Sequence, residues 1–362
     1  MTRSTLRSGN GSGDRSGNRS GKRWLGGAVV AVGGVGVLVT AGGVHAAEPG
    51  QAAYSASTSV GVHNAYLQSA FPYLADAADS GAGMIEIDVW TNFFGSGWRV
   101  GHNSPFTNEN NCVGATTPEG LRTGDRDQNL AACLTDLRTW HDANPGHRPI
   151  LLKVEMKDGF ADNLGRGPAA FDALVNDVLG DAVLRPADLT GGHPTLDAAV
   201  TTDGWPSRDA LTGKFLIHLI PGTVEEGNPL DNLWTDVEYG RHLRDLSASG
   251  DLGQAVAFPA VHGAEAGDPR VNRYEESIRP WFVVFDGDAS TFLGSVDTGW
   301  YTDRNYLLVM TDAHNVAPPI SPTDPTEAEA LERVNQLASG GAAVASSDWT
   351  GLPSVLSTVV PH

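Results

Sequence analysis

Met84-Ile-Glu-Ile-Asp-Val-Trp90 and Ile150-Leu-Leu-Lys-Val-Glu-Met-Lys157 decide the fold. Both are short, apolar runs of strand length. Side chains alternate across a strand, so Ile85, Ile87 and Val89 share one face of the first run, and Glu86 and Asp88 the other. The flanking residues are apolar, which reads as a strand buried on both faces, as in a parallel sheet. Two neighbouring buried carboxylates repel each other and require a compensating cation. The second run repeats the anomaly. Lys153, Glu155 and Lys157 share a face opposite Leu152, Val154 and Met156. Such a lining is either a structural ion-pair ladder or a metal carboxylate at Glu155, with Lys157 on a phosphate and Lys153 behind it.

Similar runs recur along the chain. Strands are expected at Ser59–His63, Gly83–Val89, Ile150–Met156, Lys214–Ile220, Ala255–Val261, Trp281–Asp286, Tyr306–Thr311 and Ala342–Ser347. Between them lie helix-like stretches at Leu67–Asp79, Asn129–Asn144, Pro168–Leu179, Asn232–Leu246, Pro269–Ser277 and Pro325–Ala338, with a short helix after Leu352. Eight strands alternating with helices specify a single α/β domain, a parallel (β/α)8 TIM barrel. An open doubly wound sheet is the competing architecture, but no Gly-x-Gly-x-x-Gly follows the first strand. Residues 91–128, after the second strand, and 181–212, after the helix that follows the third, are rich in Gly, Pro, Asn, Asp and Thr and are expected to be long loops.

The barrel places strand ends together at one mouth. There Asn64, Glu86, Asp88 and Glu155 offer four oxygen donors, a set suited to Ca2+, with Mg2+ also possible. A divalent ion would neutralise a phosphate oxygen. His63 and His102 supply two imidazoles, one to accept a proton and one to donate it. Those parts suit phosphodiester cleavage. Asp286, Asp312, His314 and Asp348 follow later strands and are further candidates to line the mouth, as is His262. His218, inside the fourth strand, reads as a lining or core residue. Trp90, Phe93, Phe94 and Trp98 form an aromatic group beside the acid pair, either packed under the loop or exposed as a lipid-touching rim.

The pattern Val-His63-Asn64-x-Tyr66, Glu86-Ile-Asp88-Val-Trp, Val-Gly-His102 and Glu155-Met-Lys resembles the phosphatidylinositol-specific phospholipase C and glycerophosphodiesterase superfamily. The His-Asn pair is similar to its calcium-dependent phospholipase C branch, especially the secreted bacterial members. Asp203-Gly-Trp-Pro206, Gly213-Lys214 and Ser347-Asp348-Trp349 fit that branch more loosely. The resemblance implies Asn64, Glu86, Asp88 and Glu155 as calcium ligands, His63 as stabiliser of the pentacovalent phosphorus and His102 as acid to the leaving group. It leaves the general base open between Glu86 and His63. It implies attack by the inositol 2-hydroxyl on phosphatidylinositol. A glycerophosphodiesterase or sphingomyelinase-D-like lipase on the same barrel is the second enzymatic reading. A silent barrel that binds a headgroup or glycan is the non-enzymatic one.

Composition sets the address. Residues 1–23 hold six basic residues against one acid, an apolar stretch runs from Trp24 to about Thr40, and Val44-His-Ala-Ala47 follows. This order reads as a secretory signal over residues 1–46, with the barrel spanning 47–362. The remaining 316 residues carry 18 Lys and Arg against 42 Asp and Glu, a net of −24. So acidic a body excludes nucleic acid as a partner. A secreted monomer that touches a membrane surface transiently to reach a phospholipid or small phosphodiester is expected. The two cysteines, Cys112 and Cys133, are expected to form a disulfide, since export favours oxidation.

Overall fold

A computed structural model describes residues 48–92, 95, 97–229, 231 and 233–362. The segment read as a signal, and Phe93 and Phe94, lie outside the described residues. Ten strands form one sheet: β1 (Ser57–Val62), β2 (Met84–Thr91), β3 (Trp98–Val100), β4 (Ile150–Met156), β5 (Phe215–Pro221), β6 (Phe258–His262), β7 (Val284–Asp288), β8 (Leu307–Thr311), β9 (Val344–Ser347) and β10 (Val359–Pro361). All except β3 and β10 pair in parallel, and β1 pairs with both β2 and β9, so the sheet closes into an eight-stranded barrel. The (β/α)8 expectation holds. The barrel strands are buried almost throughout, which is why they read as continuous apolar runs.

β3 and β10 were not expected. Each is three residues long and pairs antiparallel at the barrel's edge, β3 on β2 and β10 on β1. Runs that short carry no periodicity. The fifth barrel strand starts at Phe258 rather than Ala255, because the N–H groups of Val256 and Ala257 donate to the Tyr239 hydroxyl at 3.2 and 3.0 Å. The stretch 181–212 is not a plain loop. It holds helices Pro186–Thr190, with proline in its first turn, and Leu196–Thr202, where Thr195 accepts from the Ala198 N–H at 3.2 Å. The helix expected from Leu67 begins only at Leu74, and that at 269–277 shrinks to Arg270–Arg273. No described helix is long and apolar enough to cross a membrane.

The disulfide Cys112–Cys133 ties the loop after β3 to helix Leu130–Ala143. Asp136 of that helix accepts the N–H groups of Val113 and Ala115, each at 2.7 Å. The bridge spans 21 residues, so loop-closure entropy predicts about 3 kcal/mol of stabilisation. The double variant Cys112→Ala/Cys133→Ala is expected to lower unfolding free energy by that amount in urea, and an unchanged midpoint would refute it.

The connection after β5 is pinned by Glu225. Its N–H donates to the Lys157 carbonyl at 2.9 Å, and its Oε1 accepts the Thr235 N–H at 2.7 Å. Burial pushes the Glu225 carboxyl up to about 8. The folded chain therefore holds a proton that the unfolded chain releases near the ordinary glutamate value. Stability from this group is fully present below that value and is lost as pH rises toward about 8. Glu225→Gln keeps the acceptor and is expected to flatten the fall in Tm between mildly acidic and mildly alkaline pH. Parallel Tm–pH curves for the variant and the wild type would contradict this.

Candidate active site

Strand register assembles the site. Glu86 of β2 pairs with Lys153 of β4, and Asp88 with Glu155. Lys153 in turn pairs with His218 of β5. All five therefore line the barrel interior on alternate positions, as the parity of the sequence required. One oxygen each from Glu86, Asp88 and Glu155 lie within 4.8 Å of one another. The upper pair is held by Lys157, whose Nζ is 2.8 Å from Glu155 Oε1 and 3.3 Å from Asp88 Oδ2. The Thr223 N–H, from the connection after β5, donates to Glu155 Oε1 at 3.1 Å. Thr223 was not anticipated, since a backbone donor leaves no trace in residue type.

Asn64 follows β1 directly and adopts a left-handed conformation, φ 51°. Asparagine tolerates that region better than most residues. The turn aims its N–H at Glu86 Oε2, 3.1 Å away. Its side-chain Nδ2 lies 3.0 Å from His63 Nε2, while its Oδ1 is buried without a partner. Asp88 Oδ1 is likewise buried and unpartnered. Burial, reinforced by the charges of Glu86 and Glu155, raises the Asp88 carboxyl to about 7. Two orphaned oxygens in a cluster of three carboxylates mark a place short of positive charge, and all the donors are hard oxygens. The residues fit a calcium-type ion.

His63 lies half-exposed beside this cluster, with Nε2 3.6 Å from Glu86 Oε2 and Nδ1 3.1 Å from Asp348 Oδ1. Burial disfavours its imidazolium, but the Asp348 hydrogen bond and the Glu86 charge outweigh that and raise it to about 9. Among the described residues, a cavity of about 430 Å3 opens here, lined by His63, Asn64, Asp348 and Thr350. His102 is brought in by β3. Val89 of β2 pairs with Val100, and the Gly101 N–H donates to the Asp88 carbonyl at 3.2 Å. Gly101 also accepts the Trp90 indole N–H at 2.6 Å. His102, the next residue, is half-buried, and its imidazole makes no hydrogen bond among the described residues. The unexpected strand β3 is thus the element that returns the second histidine to the first strand pair.

Beneath the cluster lies a second layer. Lys153 Nζ sits between Glu86 Oε1 at 3.3 Å and Asp286 Oδ1 at 3.2 Å. Asp286 Oδ2 is 3.1 Å from His218 Nε2. Asp286 is 1 % exposed, so it belongs to the barrel floor rather than the mouth rim where its position after a strand suggested it. Its alternation with Phe285, which packs against Tyr301 and Tyr306, is the signal that would have placed it inside. His218 is a buried lining residue, as expected. His262 pairs with Glu226 at 2.8 Å and His314 Nδ1 lies 3.2 Å from Ser347 Oγ, apart from the carboxylate cluster. Trp90 and Trp98 are buried, Trp98 edge-on against Phe171 with ring centroids 5.9 Å apart, so neither forms an exposed rim.

The comparisons with known proteins agree with this geometry. Residues 121–232 match the family model described as phosphoinositide phospholipase C, Ca2+-dependent. The match takes in Lys153, Glu155 and Lys157 and begins after His63, Asn64, Glu86, Asp88 and His102. The chain is 62% identical to a Ca2+-dependent phosphatidylinositol-specific phospholipase C from Streptomyces antibioticus, over 86% of this chain and 99% of that one, with a TM-score of 0.85. A calcium-dependent phosphoinositol-specific phospholipase C from a Gram-negative Pseudomonas shares the fold at 19% identity, covering 87% of this chain and 96% of its own, with a TM-score of 0.64. Among curated protein sequences no match is found. Barrel, carboxylate cluster and the extent of identity lead to one assignment: the chain belongs to the calcium-dependent phosphatidylinositol-specific phospholipase C family.

Proposed function

We propose that the chain is exported, with residues 1–46 removed as a signal, and that it cleaves phosphatidylinositol-type phospholipids at the phosphodiester. The observation that carries this reading is the convergence of Glu86, Asp88 and Glu155 beside His63, with two orphaned oxygens on Asn64 and Asp88. Ca2+ held by Asn64, Glu86, Asp88 and Glu155 would neutralise a phosphate oxygen and the charge that builds on it, and Mg2+ has the same ligand preference.

The remaining work falls to side chains. Lys157 contacts the phosphate, and Lys153 behind it balances the buried carboxylates. The inositol 2-hydroxyl attacks phosphorus and gives its proton to the Glu86–His63 pair, whose Oε2 and Nε2 are 3.6 Å apart. His63, held by Asp348, then stabilises the pentacovalent phosphorus. As the bond to the diacylglycerol oxygen breaks, His102 protonates that oxygen. The products are a cyclic inositol phosphate and diacylglycerol. Assay on phosphatidylinositol vesicles with calcium or with chelator, read by phosphorus NMR, tests the reading. Calcium-dependent appearance of the cyclic phosphate is expected. Absence of any product with calcium present would overturn it.

Membrane contact belongs to the mouth. Phe106, Leu164, Val224, Leu233 and Trp234 are, with Val271, the exposed large hydrophobic side chains among the described residues. Those five lie in the chain segments that connect β3 to helix Leu130–Ala143, β4 to helix Pro168–Val178 and β5 to helix Thr235–Ser249, Leu164 and Val224 within short helical turns there. A rim of this kind favours transient insertion at an interface. Trp234→Ala is expected to lower activity several-fold on vesicles and to leave it unchanged on a short-chain monomeric substrate. Equal loss on both would assign Trp234 to the site itself.

A further inference from the structure

We propose that Asp286, oriented by His218, sets the calcium affinity of the site by holding Lys153 away from full pairing with Glu86. This rests on the metal reading of the carboxylate cluster given above. Lys153 has one ammonium and two partners. Its Nζ is 3.3 Å from Glu86 Oε1 and 3.2 Å from Asp286 Oδ1, and all three groups are nearly sealed from solvent. A metal ion and Lys153 compete for the charge of Glu86. Asp286 takes half of the lysine's attention and so leaves Glu86 its negative charge.

His218 fixes that share. It is completely buried, its Nε2 lies 3.1 Å from Asp286 Oδ2, and its Nδ1 has no partner. Burial holds its imidazole toward the neutral form, so it orients the carboxylate by one hydrogen bond without adding a charge. The charge balance supports the assignment. Glu86, Asp88, Glu155 and Asp286 face Lys153 and Lys157, which leaves two negative charges. Around them, His63 lies 3.1 Å from Asp348 and 3.6 Å from Glu86, and His262 pairs with Glu226, so each imidazole is matched by one carboxylate outside the count. Two negative charges in a buried space match one divalent cation. Removing the charge of Asp286 would leave one, with Lys153 free to neutralise Glu86. Asp286 touches neither the ligand set nor the substrate in this scheme. It is a positioning residue that acts through Lys153.

The test is calcium titration of the metal-free full chain by calorimetry, with folding checked by circular dichroism. Asp286→Asn is expected to weaken calcium binding by about 10–100-fold. Asp286→Glu, which keeps the charge, is expected to recover most of that loss. Asp286→Asn combined with Lys153→Met removes both buried charges and is expected to return affinity to near the wild-type value. Glu332→Gln removes an exposed carboxylate on helix Glu327–Ser339, outside this network, and is expected to change nothing. If Asp286→Asn folds poorly, Lys153→Met alone carries the test through its opposite sign, tighter calcium binding than wild type. Unchanged affinity in Asp286→Asn overturns the proposal, as does a double variant as weak as Asp286→Asn. Failure of the wild type itself to bind calcium would instead overturn the metal reading, so the two failures are distinct.

Discussion

Replacing His102 with alanine is expected to lower kcat by about 10²–10⁴-fold and to leave calcium affinity unchanged. The asymmetry follows from where the residue sits. His102 hangs on β3 next to Asp88 through the backbone of Gly101, while its imidazole is tied to none of the cluster carboxylates. Truncating it removes no ion pair and leaves no buried charge alone. Under the proposed mechanism, what is lost is the proton donor to the leaving oxygen. The measurement that isolates this role compares two substrates. On phosphatidylinositol the variant should show the full loss. On an analogue whose leaving group departs without a proton, such as an aryl phosphodiester of inositol, it should approach wild type. Equal losses on both would show that His102 positions the substrate and transfers no proton.

Much of this site was legible before the fold was known, and the reason is strand parity. In a barrel whose strands are buried on both faces, any charged residue at an even step from another must share its interior. Glu86, Asp88, Lys153, Glu155 and Lys157 were therefore readable as one lining from two short runs, and the register of β2 against β4 brings them together. The disulfide was readable from compartment and count. What escaped was of two kinds. Asp286 lies on β7, far along the chain, and in the sequence it stands at the end of its expected strand, where a carboxylate looks like a rim residue until its neighbours are known. β3 and the Thr223 N–H are matters of backbone, three residues and one donor, and residue types do not encode them. The helices at 186–190 and 196–202 failed for a related reason. Their flanks are rich in Gly, Pro and Thr, and at such short lengths the caps rather than any periodicity define the element.

Asp88→Asn should abolish most activity while making the metal-free protein more stable, and that opposition of signs identifies a ligand. Asp88 is 1 % exposed, lies against Glu86 and Glu155, and has one oxygen without a partner. In the absence of a cation its charge is repelled by both neighbours and offset chiefly by Lys157, 3.3 Å away. The amide removes that repulsion at constant shape. Lys157 keeps its 2.8 Å contact with Glu155, so no buried cation is stranded. Tm without calcium is therefore expected to rise. The same change deletes a hard anionic donor from the cluster. Calcium affinity and kcat/KM are expected to fall by about 10²–10³-fold, and the rise in Tm that calcium gives the wild type should shrink in step, because a ligand stabilises only as far as it binds. A purely structural Asp88 would behave otherwise. Its loss would lower Tm in both conditions and leave the calcium-dependent increment intact. Differential scanning calorimetry of both proteins, with calcium and with chelator, separates these outcomes without any need for turnover, because the sign of the metal-free shift alone decides whether the three carboxylates were gathered for the fold or for the ion.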